Sequence, residues 1–563
     1  MTSSEIKELI QANQLREEGK IKDAYQIVLE LEKRSNLTLK EKLSCKLLKA
    51  NLLGELGNFM DAIKCAEDLF EKFLEQGDNV SAFDALIIQG TAYTLTVNLA
   101  KAEAIIKHAE DLLKIIKETI PLDLRERQSK LLKVKAAIIF FQGDIQHSLE
   151  LNKRAYELVK DSGKFSLIGA ILNNIADKYH HLKEYDKAIT YAKKAIECNF
   201  EPSLIYALGT LIEIYISKGD IQEAEVILEL LREHTEKLNT KRYKTLYYFS
   251  KAMILKSSLR ARDRIKAEDI FKELALNDSL LSEPRINAIL SLCDLYLTEL
   301  RITNDVKIIN EIQPYIKTLL NIAEQRHLYL YLAETYLLQA KLSLLTSDIK
   351  NAKRFLIQAQ KIAESYGLEQ LAMKISYEHD ELLRQTKIWE NFKESEIPLS
   401  EGLDLTGLDK QMEYMAKKRV FQVPKFPDEE PVLLLIVSEG GVPFFTQSFI
   451  EDKSFEDHLF GGFFTAINSF INEMFSEGLD RAFFGEHTLL MNSFAPFLMC
   501  YIYKGQSYSA QKRLKSFIEE LKRQKDVWAT FEKFYRTSRK IQLKDIPSLE
   551  PLIKEIFIEK KLG

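Results

Sequence analysis

The sequence predicts a mainly α protein: an αα-hairpin solenoid followed by a small α/β domain built on a five-stranded antiparallel sheet. Three observations predict it. Over residues 5–385, small and apolar residues recur three, four and seven apart, within a longer repeat of roughly 40 residues. That periodicity stops after Trp389, in a stretch carrying Pro398, Gly402, Gly407, Pro424 and Pro427. From Pro431 the pattern changes to short apolar runs separated by glycines.

The repeats come first. The clearest copy is Ala176, Tyr179, Ala188, Ala192 and Ala195; others are Ala12 to Leu31 around Gly19, Ala50 to Leu69 around Gly57, and Tyr215 to Leu231 around Gly219. A fainter copy runs through Ala136, Ile139, Gly143 and Asp144. The spacing places the apolar residues on one helix face. Glycine followed by Asp or Asn ends one helix and caps the next, and alanine lets the two backbones approach. Such a hairpin cannot bury its face alone, so copies must stack. Turns fall at Gly19, Gly57, Gly143, Lys183 and Gly219, and near Leu99, Leu259, Leu300 and Ala340, which gives nine hairpins in a domain of residues 1–390.

Over residues 5–385 this pattern resembles the tetratricopeptide-repeat family. The resemblance implies a right-handed superhelix, without catalysis of its own, whose concave face is lined by the first helices and grips a peptide or protein. Lys133, Asn173, Asn174, Lys178, Tyr206 and Arg242 are the expected partner-binding residues on those helices. One subgroup of the family holds a terminal carboxylate in a clamp of basic residues and Asn. Lys133 and Asn174 match two of its positions, but Tyr206 and Thr210 replace the next basic ones, so no complete clamp is expected. Tyr243, Tyr247, Tyr248, Tyr329, Tyr331 and Tyr336 crowd the later repeats, mainly as packing residues.

Residues 391–429 read as a joint with one short helix from Asp409 to Arg419. Residues 430–563 read as the α/β domain. Pro431 to Val437 and Val442 to Ile450 are strands, Phe455 to Phe475 a helix, and three strands follow at 480–484, 486–492 and 496–503. Helices are expected at Ser509 to Lys525, Val527 to Tyr535 and Leu549 to Glu559. The order and the hairpin LLLIVSEGGVPFFTQSF resemble the longin/roadblock group over residues 430–525, a profilin-like sheet. That resemblance implies a dimerising domain or a platform for small GTPases.

Two features of this domain stand apart from the resemblance. Glu430 to Glu486 holds ten acidic and two basic residues, and Lys504 to Lys544 twelve basic and four acidic, so opposed elements pair within the domain or offer a charged surface. The phenylalanines at 444–445, 460, 463–464, 483–484 and 494 exceed what one small sheet needs, so some are expected to face another surface.

Chemistry is scarce. The net charge of −4 argues against a general affinity for polyanions. Five scattered cysteines form neither a metal knuckle nor a redox pair. No phosphate-binding loop is present. His458 and His487 lie near Ser493 and Cys500 without a nucleophile elbow, and His180-His181 reads as a solvated pair at a repeat turn. The aromatics among the basic residues 512–544 fall at packing spacing, which argues against nucleic acid. No apolar run approaches a membrane span, and no signal peptide is read at the start, so a cytoplasmic location is expected. The expectation is therefore a scaffold or adaptor without enzymatic activity, metal or cofactor, its groove holding a protein or peptide and its second domain a small GTPase or a second copy. The alternative is a regulatory sensor whose C-terminal domain binds a small ligand near Phe463 and Phe497 and whose repeats relay it.

Overall fold

The computed structural model describes residues 7–559 apart from 97, 120–121, 142–143, 239–240, 278–281, 326, 386–387, 390–397, 417–428, 439–442, 451–480, 495–496 and 538–539. The chain forms two compact units: Met1–Leu371 with Lys393–Gln422, and Ala372–Phe392 with Val423–Gly563. The first is a TPR-like α-solenoid and the second carries an open five-stranded antiparallel sheet.

In the first unit the described helices pair in chain order. They are α1 (Lys7–Glu17) with α2 (Ile21–Glu32), α3 (Leu39–Glu55) with α4 (Phe59–Glu75), and α5 (Asn79–Leu95) with α6 (Leu99–Thr119). Next come α7 (Arg125–Phe141) with α8 (Ile145–Val159), α9 (Phe165–His181) with α10 (Tyr185–Glu197), and α11 (Glu201–Lys218) with α12 (Ile221–Leu238). The last are α13 (Lys241–Ser257) with α14 (Ala261–Leu276), α15 (Ser282–Thr303) with α16 (Lys307–Gln325), and α17 (Tyr329–Leu345) with α18 (Ile349–Ser365). The alanines do what their spacing implies: Ala62, Ala66, Ala188, Ala192, Ala195 and Ala224 are wholly buried where paired helices meet.

The turns are left-handed. Gly19, Gly57 and Gly219 have φ of 77°, 84° and 88°, and Lys183 takes the same role at 60°. Gly143 lies outside the described residues. The last two hairpins turn through Asn304 (φ 54°) and Ser347 (φ 58°), beyond the positions expected near Leu300 and Ala340. Neither turn contains a glycine, so the sequence offers no punctuation there.

After α19 (Glu369–Arg384), residues read as a joint form α20 (Leu399–Thr406) and α21 (Leu408–Ala416). Both pack on α15 and α17. Leu403, Leu408, Met412 and Met415 are buried in the same core as Ile286, Leu297 and Leu338. This is an amphipathic helical pair that belongs to the solenoid.

In the second unit the strands are β1 (Glu430–Ser438), β2 (Pro443–Ser448), β3 (Arg481–Phe484), β4 (His487–Phe494) and β5 (Phe497–Lys504), ordered β2-β1-β5-β4-β3. Leu434 faces Tyr501 across β1 and β5, and Met491 faces Cys500 across β4 and β5. Alternation divides the central strands between two faces. Leu434, Ile436, Phe497, Tyr501 and Tyr503 join the core of α22 (Ser507–Arg523), α23 (Lys525–Arg536) and α24 (Leu549–Ile553), which continues as a π turn, Lys554–Glu559. Leu433, Leu435, Val437, Leu489, Cys500 and Ile502 form the other face. The helix expected at Phe455 to Phe475 lies outside the described residues.

Part of the phenylalanine excess is core, while Phe483 is half-buried with the Arg384 guanidinium 4.8 Å from its ring, and Phe460, Phe463, Phe464 and the side chains of Phe484 and Phe494 lie outside the described residues. Phe444, Phe445 and Phe497 are buried, and the Phe497 ring lies 5.1 Å from Phe444, 5.9 Å from Phe531 and 5.3 Å from Tyr535. The C-terminal helices supply a second aromatic layer that a count based on the sheet alone omits.

One ion pair of this unit is almost fully buried on both sides. Arg481 of β3 lies 2.7 Å from Asp380 of α19, with side-chain exposures of 1% and 7%, and also donates to Ser376 Oγ at 3.2 Å. Breaking a buried pair from one side strands a charge and costs about 3–5 kcal/mol, whereas replacing both partners by apolar residues is often neutral. Asp380→Asn should therefore lower the urea midpoint of the second unit by about that energy, and Asp380→Leu/Arg481→Met should recover most of it. A second test concerns the first unit, where the Cβ of Lys183 strains a left-handed turn: Lys183→Gly should add about 1 kcal/mol to the urea-unfolding free energy of the solenoid.

Candidate functional site

First helices pack against one another along the solenoid, α3 on α5 on α7 and α9 on α11 on α13 on α15, while successive second helices do so far less. Small residues allow it. A Cβ on Gly169 of α9 would stand 2.5 Å from Ser203 Oγ of α11, and one on Gly209 of α11 would stand 3.3 Å from Leu246 of α13. Helices that crowd together lie on the inside of a curve, so the odd-numbered helices form the inner wall. The curve is tight. Ser166 Oγ at the start of α9 donates to Glu17 Oε2 of α1 at 3.1 Å, and Arg16 of α1 pairs with Glu55 of α3 at 2.7 Å.

On this wall Lys133 of α7 is half-buried and has no hydrogen-bond or ion-pair partner among the described residues. Burial lowers its pKa, Lys130 and Arg16 lower it further, and Glu55 acts in the opposite direction. Asn173 and Asn174 of α9 are half-buried; Asn173 Oδ1 has no partner, and the Asn174 side chain makes no hydrogen bond among the described residues. Tyr206 of α11 is half-buried, its ring 6.3 Å from that of Tyr243 in an edge-on contact. The Arg242 side chain lies outside those described.

Lys178 is engaged internally. It is 7% exposed, with Nζ 2.7 Å from Asp177 Oδ2 and 3.7 Å from the centre of the Phe140 ring. His181, read from the sequence as solvated, has a side chain only 5% exposed, 3.4 Å from Asp177 Oδ1 and 5.0 Å from the Phe140 ring. The correction has a simple cause: α9 continues through His181, so that residue faces α7 rather than a loop. His180 instead meets Ser217 Oγ at 2.9 Å.

Sequence reasoning missed two contributors to this wall. Arg16 and Glu55 reach it only because the curve brings α1 and α3 near α7, which no local pattern records. The other is α20 and α21, which cover the inner side of the last hairpins. Arg301 of α15 pairs with Asp404 at 2.9 Å and Asp409 at 2.7 Å, and Lys341 of α17 donates to the Thr406 carbonyl at the end of α20. The open part of the wall thus runs from α1 to α13.

Reactive chemistry is weak where it was sought. Cys500 is wholly buried, and burial pushes its thiol up to about 12, so it stays protonated and inert. Glu429 is buried and engaged by the Tyr501 hydroxyl and by Arg513 Nε at 3.0 Å. Among the described residues no group of three or more His, Cys, Asp or Glu side chains is placed to hold a metal ion, and no helix is long and apolar enough to cross a membrane. His458 lies outside the described residues, as does the Ser493 side chain.

The Asp177 network has a pH signature. Burial works to raise the Asp177 pKa, but the Lys178 charge and the contacts with His181 and Lys178 outweigh it and hold the carboxyl well below its ordinary value. A depressed pKa stabilises the fold above the unfolded value, about 3.9, and that contribution fades as the pH falls toward the folded value. Asp177→Asn should therefore lower the melting temperature clearly at neutral pH and progressively less below about pH 4; an equal deficit at both ends would show that its charge is not what stabilises.

No family model and no curated protein matches the chain. Among solved structures it is similar to a Rap protein complexed with competence and sporulation factor, at 16% identity over 72% of this chain and 98% of that one, with a TM-score of 0.41. It is also similar to aspartyl phosphate phosphatase F from Bacillus subtilis, at 14% identity over 58% and 95%, TM-score 0.38. The apo quorum sensor NprR from B. thuringiensis matches at 14% identity over 63% and 97%, TM-score 0.38.

Proposed function

We propose that this protein is a non-catalytic adaptor whose open inner wall, from α1 to α13, holds a protein or peptide. One observation carries the reading. Several charges on the second helices are already paired beside them in sequence, as in Lys72 with Asp68 on α4, Lys114 with Asp111 on α6 and Lys160 beside Glu157 on α8. On the inner wall Lys133, Asn173 and Asn174 are half-buried without partners. The Asn173 Oδ1 atom is buried without a hydrogen bond among the described residues, a cost that an incoming donor relieves. Tyr206 and Arg242 extend the same row of first helices.

The second unit is the other half of the adaptor, offered to a small GTPase or a second copy of the chain. Its strand order, β2-β1-β5-β4-β3, with a helix directly after β5, supports the longin/roadblock resemblance. The sensor reading places its ligand near Phe463 and Phe497; Phe463 lies outside the described residues, and around Phe497 stand the rings of Phe444, Phe531 and Tyr535.

The test uses the whole chain as bait, unchanged and with Lys133→Glu, against Lys193→Glu on the exposed side of α10 as control. Lys133→Glu should weaken capture of solenoid partners by about tenfold or more, since one lost charged contact amounts to about 1.5–3 kcal/mol. Lys193→Glu should leave it unchanged. Equal capture by all three proteins would remove the inner wall from the proposal.

A further inference from the structure

The opposite side of the solenoid carries a cleft of about 490 Å³ between α4 and α6, floored by α5 and lined by Glu67, Asp68, Phe70, Glu71, Leu86, Gln89, Ile105 and His108. It arises from the curvature. When first helices crowd together, neighbouring second helices splay, and here the gap bares part of α5.

Its polar groups are arranged unusually. Glu67 and Glu71 stand four apart on α4, on one face, where like charges repel. Neither has a cation: Glu67 accepts only the neutral Tyr93 hydroxyl at 3.0 Å, and Glu71 has no partner among the described residues. Asp68 is engaged by Lys72 at 2.6 Å. At the floor Gln89 is 2% exposed, yet its amide makes no hydrogen bond among the described residues. A neutral amide so deeply buried normally finds a partner. Around it Phe70, Leu86 and Ile105 give apolar walls, and the His108 ring stands edge-on to Phe70 at 5.0 Å.

We propose that this cleft binds a cationic group on an apolar stem, a guanidinium or primary ammonium held between Glu67 and Glu71, with its alkyl chain against Phe70, Leu86 and Ile105 and a donor on the Gln89 amide oxygen. The volume suits a small ligand or one long side chain. The cation relieves the Glu67–Glu71 repulsion, and the stem covers the apolar walls while the charge stays at the rim. The site is separate from the inner wall and does not depend on how that wall is used.

Two sources offer this chemistry, a free alkylamine and an arginine of a partner peptide. Titration calorimetry of the full chain with agmatine and with the blocked peptide Gly-Arg-Gly separates them. Saturable binding is expected below about 10 mM for at least one probe, weakened about tenfold in Glu67→Gln/Glu71→Gln and also in Gln89→Leu. Agmatine binding as tightly as the peptide marks a small-molecule site; binding by the peptide alone marks a docking site for an arginine side chain. No saturable binding of either probe, or binding unchanged in the double variant whose circular dichroism matches the parent, overturns the proposal.

Discussion

Everything in the first unit depends on how closely successive first helices approach. A single hairpin leaves one face of each helix bare, and only stacking covers it. Stacking is tight on one side because small residues stand at the first-helix crossings: Gly169 beneath Ser203 leaves no room for a Cβ, and Gly209 lets Leu246 approach closely. Tight on one side means splayed on the other. The inner wall, its tightness at Ser166 and Glu17, and the opening between α4 and α6 are consequences of this one asymmetry.

Curvature also explains what was legible. Hairpins with glycine turns could be read directly, because Gly19, Gly57 and Gly219 occupy a conformation that a Cβ disfavours. Those turning through Asn304 and Ser347 were misplaced, since such residues reach the left-handed region without a distinctive local pattern. The five strands of the second unit were legible from apolar runs and intervening glycines. The charge of Lys178 was visible in the sequence; its engagement by Asp177 and Phe140 was not, because helix phase is uncertain by a residue or two near a turn. Arg16 and Glu55 near Lys133 were beyond any local pattern. They come near one another only after three hairpins have curved the chain.

The least legible feature is how the chain allots its segments. Most of α19 belongs with the sheet and supplies Asp380 to Arg481, while α20 and α21, which follow it, return to the solenoid. A composition shift marks residues 391–429 as the place where periodicity fails, and it fails there because α20 and α21 are short. Their Leu403, Leu408, Met412 and Met415 are buried as fully as any repeat residue. Short helices of this kind present too few turns for a period to emerge, yet each buried Leu or Met side chain still contributes about 1.5–3 kcal/mol.

This allotment limits the proposed binding surface. A solenoid open at every hairpin would expose the apolar inner sides of its last first helices, α15 and α17. Here the chain's own α20 and α21 cover them, through an apolar seam fixed by Arg301 and Lys341. What stays open is the more polar part of the wall, around Lys133, Asn173 and Asn174. An occupant of that part gains less from apolar burial than from supplying groups to an amine and two amides whose side chains make no hydrogen bond among the described residues. The largest gain is at Asn173 Oδ1, a buried atom for which a restored hydrogen bond is worth about 1–3 kcal/mol. Recognition on such a wall is decided by geometry and charge, because a partner that brings the wrong polar pattern leaves both sets of groups unpaired.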